Sequence, residues 1–292
     1  MVLSSWVKAT RPRTLSLSLT PVFVGAALAW STERKLYPIA VLAALFASML
    51  IQLGTNLHND AADSERGGDG PDRLGPLRVT ASGLLAAHDV KRGSYVCFAL
   101  AGMLGLYLSA IGGWPIFLLG ILSIVSGWIY TGGPLPIAYT PFGELFVFAF
   151  FGIGAVCGTY FLSTGQLSIV SVLAGVAMGL FASAVLLVNN TRDMKEDARV
   201  GRRTFAIMAG RQMTNAAYAG LVLAPFALLF LIAEWVPRGH IWPAFAALPS
   251  AFVLSYRFVR EPFGRGFNRL LVQTVQLQLF FGLLLCLGLS VQ

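Results

Sequence analysis

The amino-acid sequence predicts an all-α membrane protein, a polytopic bundle of about nine transmembrane helices that forms one domain over residues 1–292. Composition, a series of long apolar runs and the placement of charge lead to this fold class. Hydrophobic residues make up 56% of the chain, charged residues only 12%, and mean hydropathy is +0.72. A soluble globular domain is about 25% charged. The composition therefore excludes an ordinary water-soluble enzyme and a disordered chain.

The apolar runs supply the elements of the bundle. A span needs about 20 apolar residues, and the first run is not expected to be a cleaved signal peptide, because a polytopic pattern follows it. Cys97, Cys157 and Cys286 lie inside runs without metal-site spacing, so we interpret them as packing residues. The predicted spans, in order, are 14–31, 37–58, 92–111, 113–131, 142–163, 166–190, 214–233, 240–257 and 267–290.

The basic residues indicate how the bundle is oriented. Cytoplasmic loops of membrane proteins carry an excess of lysine and arginine. With nine spans and a cytoplasmic N-terminus, eighteen of the 21 basic residues fall on the cytoplasmic side, and only Arg34, Lys35 and Arg238 on the other. Because this charge flanks membrane spans and forms no stripe on a soluble domain, nucleic-acid binding is excluded.

The acidic residues are concentrated at two span ends. Orientation does not explain them, because acidic residues contribute little to topology. Asn59-x-x-x-Asp63 and Asn189-x-x-x-Asp193 repeat one spacing, which indicates two weakly repeated halves with motifs at 56–69 and 189–197 facing one cavity. Nine of the 13 acidic residues lie on two cytoplasmic segments, 60–89 and 193–197, which overlap these motifs: Asp60, Asp63, Glu65, Asp69, Asp72 and Asp89, then Asp193, Glu196 and Asp197.

If each motif is helical, its spacing places several oxygen ligands in a row on one face of the helix, which we call a ladder. Positions 56, 59/60 and 63 share one helix face, and positions 189, 193 and 197 share another. Two facing carboxylate ladders repel each other unless a cation lies between them. Such hard oxygen ligands suit Mg²⁺, which proteins hold with a few carboxylates and substrate phosphate oxygens. The alternative is that both clusters are solvated helix ends, which the matched spacing disfavours.

Basic and aromatic residues next to the motifs predict a diphosphate substrate. Arginine and lysine clamp a leaving phosphate, and loss of diphosphate from an allylic chain leaves a carbocation that a dry, aromatic wall tolerates. The segment 130–144 supplies Tyr130, Tyr139 and Phe142 on the same side. The basic neighbours are Arg66, Arg73 and Arg78 after the first motif, and Lys195, Arg202 and Arg203 after the second.

Together these motifs resemble the UbiA superfamily of intramembrane prenyltransferases, most closely its 1,4-dihydroxy-2-naphthoate (MenA-type) branch. The resemblance extends along nearly the whole chain. It is carried by Arg11-Pro-Arg-Thr-Leu-Ser, Asn59-x-x-x-Asp63-x-x-x-x-x-Asp69, Asp72-Arg73-Leu-Gly-Pro-Leu-Arg78, Tyr130-Thr-Gly-Gly-Pro134 and Asn189-Asn190-Thr-Arg192-Asp193-x-x-x-Asp197.

The resemblance implies a reaction and a set of site residues. The reaction is Mg²⁺-dependent transfer of a polyprenyl group from its diphosphate to an aromatic acceptor, with decarboxylation of dihydroxynaphthoate to give demethylmenaquinone, at the cytoplasmic face of the inner membrane. Asp60 is a candidate general base. Asn59, Asp63, Asp69, Asn189, Asp193 and Asp197 are expected to hold metal and diphosphate. The resemblance also implies further substrate-binding residues, which are Arg11, Asn56, Arg66, Arg73, Arg78, Tyr130, Tyr139, Lys195 and Arg202.

Other functions stay open from the residues alone. Menadiol or 4-hydroxybenzoate are alternative acceptors, and the sequence does not indicate chain length or oligomeric state. A transporter places its ionisable residues near the membrane midplane, whereas these lie at span ends. A CDP-alcohol phosphotransferase is disfavoured because its Asp-Gly-x-x-Ala-Arg run is missing.

Overall fold

The computed structural model describes residues 2–67, 73–236 and 241–291. All regular elements in these ranges are helical, so the predicted all-α class is confirmed. Short 3-10 turns occur at Pro12–Thr14, Ile137–Tyr139 and Trp242–Ala247, and Ala149–Gly154 form a π-helical segment. The helices are α1 (Val2–Thr10), α2 (Ser16–Glu33), α3 (Pro38–Glu65), α4 (Ala87–Ile129), α5 (Gly143–Phe148), α6 (Ala155–Thr164), α7 (Ile169–Arg199), α8 (Phe205–Trp235), α9 (Leu248–Arg260) and α10 (Gly266–Ser290).

The ends of these helices follow local sequence signals. Pro38 opens α3, where its missing N–H costs no helical hydrogen bond. Ser168 and Ser171 form a reciprocal cap at the start of α7. Gly113 interrupts α4 with a φ of 68°, a left-handed conformation that glycine adopts readily. This break lies at the first residue of the predicted run 113–131, next to the end of the run 92–111.

Several helices are long and apolar enough to cross a membrane. Within the described ranges there are six, or seven if the bent pair Leu3–Thr14 and Ser16–Glu33 forms one span. The chain is therefore a multi-span membrane protein. Nine crossings require the two parts of α4 and the helix α9 to count separately, and that number stays a prediction.

Packing between α7, α8 and α10 forms the larger core. The rings of Phe181, Phe226 and Phe281 meet there, with centroid separations of 5.0 to 6.2 Å. The π-helical segment crosses α7 closely, because a side chain at Gly152 would overlap the backbone of Gly179. Such glycine contacts are typical of helices packed in membranes. This core fixes the position of α7, which carries the second acidic motif.

Candidate active site at the ends of α3 and α7

A single arginine joins the two acidic motifs. Nη2 of Arg202 lies 2.5 Å from Oδ1 of Asp63, and Nη1 lies 2.9 Å from Oδ1 of Asp197. Asp63 is at the end of α3 and Asp197 is near the end of α7, and both are buried. Burial lowers the pKa of Arg202, but the two carboxylates raise it above its usual value overall, so the guanidinium stays charged.

Asp63 has a second basic partner. Nη2 of Arg78 lies 2.7 Å from Oδ2 of Asp63, and Arg78 is also buried. Removing one member of such a buried pair leaves an uncompensated charge and costs about 3–5 kcal/mol. Asp63 therefore lies between two guanidinium groups, one from each side of the site.

Asp193 and Asn189 share a different arginine. Nε and Nη2 of Arg192 donate to the two carboxylate oxygens of Asp193 at 2.7 and 2.6 Å. Nη2 also donates to Oδ1 of Asn189 at 2.8 Å, and Nη1 donates to Oδ1 of Asn268 at 2.9 Å. Arg192 belongs to the predicted second motif but had no predicted role of its own, and Asn268 was not predicted. The sequence feature that could have indicated Asn268 is its polar carboxamide at the start of the apolar run 267–290.

Asn59 and Arg66 fix the turn that follows α4. Oγ1 of Thr131 donates to Oδ1 of Asn59 at 2.5 Å. Arg66 donates through Nη1 to the carbonyl of Thr131 and, over 2.8 Å, through Nη2 to that of Gly133. The Tyr130–Gly133 turn is thereby held against the first motif, a contact between distant segments that the sequence did not indicate.

The two predicted tyrosines lie on this same side. The ring of Tyr139 is 4.9 Å from the guanidinium of Arg202 and 5.6 Å from that of Arg66. Burial, and then the charge of Glu144, raise the pKa of the Tyr130 phenol, so this group is neutral at physiological pH. Oε1 of Glu144 accepts a hydrogen bond from Asn190 of the second motif at 2.9 Å.

Some predicted site residues face other parts of the structure. Asp60 accepts from the backbone of Val79 and Thr80 and from the Thr80 hydroxyl at 2.5 to 3.2 Å, which anchors the loop after α3. Nδ2 of Asn56 donates to the carbonyl of Thr10 over 3.1 Å. Lys195 lies on an exposed face of α7. Asp69 lies outside the described residues.

A narrow apolar groove begins at Tyr130 and runs between α2, α3, α4 and the π-helical segment. Its first part is lined by Ser18 and Thr55 near Tyr130, and its far part reaches Leu108, Ile116 and Leu162. The two parts share Ser48, Ile51, Ser123, Phe150 and Ala155. Glycine is frequent along the far part, at positions 105, 120, 154 and 158, which keeps the groove open.

The donor set at the motif ends suits a hard divalent cation. Oxygens of Asp63 and Asp197 converge on one point, which the guanidinium of Arg202 occupies in this structure. Among the described residues, no group of three or more His, Cys, Asp or Glu side chains is close enough to form a complete metal site. Carboxylates with substrate phosphate oxygens are nevertheless the usual Mg²⁺ ligands, so these residues fit that ion.

Comparisons with known proteins agree with this geometry. A 1,4-dihydroxy-2-naphthoate octaprenyltransferase of Bacillus subtilis is 33% identical, over 97% of this chain and 91% of its own. The Mycobacterium tuberculosis protein of the same name is 35% identical, over 88% and 89%. The fold matches a UbiA homolog from Archaeoglobus fulgidus bound to GPP and Mg²⁺, with a TM-score of 0.71 at 17% identity over 98% of this chain and 100% of that one. The UbiA prenyltransferase family model matches residues 18–287, and the chain belongs to this family.

Proposed function

We propose that this protein transfers a polyprenyl group from polyprenyl diphosphate to 1,4-dihydroxy-2-naphthoate, with loss of carbon dioxide, to give the reduced form of demethylmenaquinone. The observation that carries the proposal is the Arg202 bridge between Asp63 and Asp197 beside an apolar groove. The carboxylates, the arginine and a groove suited to an apolar prenyl chain therefore lie next to one another. The names of the two bacterial relatives support the choice of acceptor.

Five motif residues are proposed to hold Mg²⁺, namely Asn59, Asp63, Asn189, Asp193 and Asp197. When bound, the ion would neutralise the diphosphate and make it a better leaving group. Asp69 belongs to the same prediction and lies outside the described residues. The observation in favour is that the carboxylate oxygens of α3 and α7 already converge around a positive charge.

The chain's own residues divide the remaining tasks. Arg202 and Arg78 are proposed to donate to the diphosphate oxygens, a charge-assisted contact that stabilises the leaving group. As the carbon–oxygen bond breaks, the faces of Tyr139 and the neutral Tyr130 stabilise the allylic cation. A ring carbon of the acceptor supplies the electron pair of the new bond, and the carboxylate leaves as carbon dioxide. The groove holds the chain and keeps water away.

Asp60 and Asn56 are assigned positioning roles in this proposal. Both were predicted to act on substrates, yet their hydrogen bonds hold the loop at Val79 and the turn at Thr10. Lys195 is exposed and is retained only as a candidate for drawing in the anionic substrates. We also propose that the chain forms a single domain with two weakly repeated halves.

The topology is proposed to have nine crossings, with the N-terminus and the site on the cytoplasmic side of the inner membrane. The charge distribution supports it, because Arg34 and Lys35 lie opposite the arginine-rich loops. Impermeant labelling of a cysteine introduced at residue 35 or at residue 199 tests this. Both sites reacting from one side would contradict the orientation.

Product mass tests the proposed reaction. Purified protein is supplied with geranylgeranyl diphosphate and, separately, dihydroxynaphthoate, menadiol or 4-hydroxybenzoate. We expect product with dihydroxynaphthoate, lacking the mass of the carboxyl group, since carbon dioxide leaves. Product only with another acceptor would overturn the choice of acceptor. No product with any acceptor, from folded protein, would overturn the reaction class.

A further inference from the structure

A groove between α9 and α10 lies apart from the candidate site. Its volume is about 400 Å³, within the range of about 300–1,000 Å³ that is usual for small-molecule sites. We call it the α9–α10 groove, and it is lined by side chains from 249–257 of α9 and 273–280 of α10. It shares no lining residue with the apolar groove that begins at Tyr130, or with the cavity of the candidate site that Arg11 and Arg73 line.

One part of the α9–α10 groove is apolar. Leu254 and Leu277 are buried at its base, while Val253 and Phe280 at its edges are 49% and 46% exposed. The groove follows residues 249–257 of α9, a length of about 12 Å at the usual helical rise. Because α10 is long and apolar enough to cross a membrane, the exposed edges contact lipid chains.

The other part of the groove is polar. Nη1 of Arg257 lies 3.5 Å from Oε1 of Gln273, a long contact for a hydrogen bond. A guanidinium has five N–H donors, so most of those of Arg257 remain for a ligand. Gln276 is exposed and lies on the same face of α10 as Gln273. Since charged and amide groups are costly on a membrane-facing surface without polar partners, these three side chains indicate a ligand with polar groups.

Arginine dominates the charge around this polar part. Glu261 is the single acidic residue in the sequence from 257 to 269, which contains four arginines. All four are exposed, and none has a carboxylate partner within the part of the chain that the structure describes. Basic pockets between membrane spans bind anionic lipid headgroups. The four residues are Arg257, Arg260, Arg265 and Arg269.

The polar part of the groove lies on the same side of the bundle as the candidate site. Arg211, near the start of α8, donates to the carbonyls of Phe258 and Glu261 at 2.6 and 2.8 Å. Arg192 of the second motif donates to Asn268 at the start of α10. The motif ends lie at the ends of membrane spans, so the arginines are at the level of the lipid headgroups. The apolar part of the groove extends from there toward the membrane interior.

We infer that the α9–α10 groove binds one anionic phospholipid of the surrounding bilayer. The guanidinium of Arg257 donates to the phosphate, a charge-assisted hydrogen bond. The amide of Gln276 donates to an ester carbonyl, and one acyl chain lies along the apolar part of the groove. The orientation of the protein accounts for exposed arginines, but not for two glutamines within a span, whereas a phospholipid accounts for both. This site is separate from prenyl transfer.

Photolabelling of the purified protein tests this binding. Two probes carry a diazirine in one acyl chain, phosphatidylglycerol and phosphatidylcholine, each at the same low fraction in nanodiscs of phosphatidylcholine. Mass spectrometry of peptides locates the label. We expect the phosphatidylglycerol probe to label 249–254 and 276–280 about tenfold more than the phosphatidylcholine probe, because the arginines attract the anionic headgroup. Both probes should label the exposed face of α4 equally.

Two variants test the residues that hold the lipid. Arg257→Gln and Gln276→Leu change exposed side chains, and each should reduce the preference for phosphatidylglycerol to about threefold or less. Arg92→Gln is the matched control, since Arg92 is an exposed arginine near the start of α4 and lies outside the groove. Its preference should stay within about twofold of wild type.

Three results would overturn the inference. Equal labelling of the groove by both probes in wild type would show only ordinary lipid contact. An unchanged preference in both Arg257→Gln and Gln276→Leu would show that surface charge alone attracts the lipid. Labelling of α4 without labelling of the groove would show that no phospholipid enters it. Because prenyl transfer is not measured, none of these results bears on the proposed function.

Discussion

Asp63→Asn should reduce prenyl transfer by about a hundredfold or more, the scale expected when a group that stabilises the transition state is removed. Asp63 lies between Arg78 and Arg202 and contributes oxygens between the ends of α3 and α7, which Arg202 joins. Asp197→Asn should have a similar effect, because it shares Arg202. Turnover is measured by product mass with saturating Mg²⁺.

The double variant Asp63→Asn/Asp197→Asn distinguishes one site shared by both carboxylates from two independent sites. Residues that act as a unit give non-additive losses, so the double variant should be about as impaired as either single variant. Asp89→Asn is the control, since Asp89 is an exposed carboxylate on the same side. Thermal unfolding of each variant reports folding separately. Near-wild-type turnover by either single variant would contradict the assignment.

Gly120→Leu should shorten the prenyl chain that the protein accepts. Gly120 lines the far part of the apolar groove, and a Cβ there would meet nothing within 4 Å. The leucine should fill the groove without displacing its neighbours. We expect KM for an octaprenyl donor to rise about tenfold or more, since burial of several methylene groups is lost, while geranyl diphosphate is used as before.

A matched glycine provides the control for this change. Gly220 is on α8, also has open space around its Cβ position, and lies outside the groove. Both substitutions improve helix propensity equally, so a difference between them reports the groove. Equal use of long and short donors by Gly120→Leu would show that the chain does not occupy this part of the structure.

Helix spacing predicted which way the motifs point but not what each side chain contacts. Positions 56, 59, 60 and 63 lie on the helix α3 as expected. Their partners nevertheless belong to three different segments, at Thr10, at Thr131 and at the adjacent residues Arg78 and Val79. Periodicity within one helix contains no information about chain segments that come near it only after packing. The apolar groove was unpredictable from the sequence for the same reason.

The apolar runs predicted the positions of the helices more accurately than the residues at which the helices end. The run 166–190 corresponds to α7, which continues to Arg199. The extension carries the polar second motif, whose residues are bonded to Arg192, Arg202 and Glu144. These contacts stabilise helical turns that hydropathy alone assigns to a loop. Arg78 and Arg202, which were predicted to bind diphosphate, pair directly with motif carboxylates in the structure. Their role toward the diphosphate stays a prediction.

The central claim is that the ends of α3 and α7 form one Mg²⁺-dependent diphosphate site. It is tested most directly by calorimetric binding of a non-hydrolysable geranylgeranyl diphosphate analogue, with Mg²⁺ or with EDTA, to wild type and to Asp63→Asn/Asp197→Asn. We expect Mg²⁺ to tighten binding to wild type about a hundredfold and to have little effect on the double variant. Equal affinity of wild type in Mg²⁺ and EDTA, or an unchanged Mg²⁺ effect in the double variant, would contradict the claim.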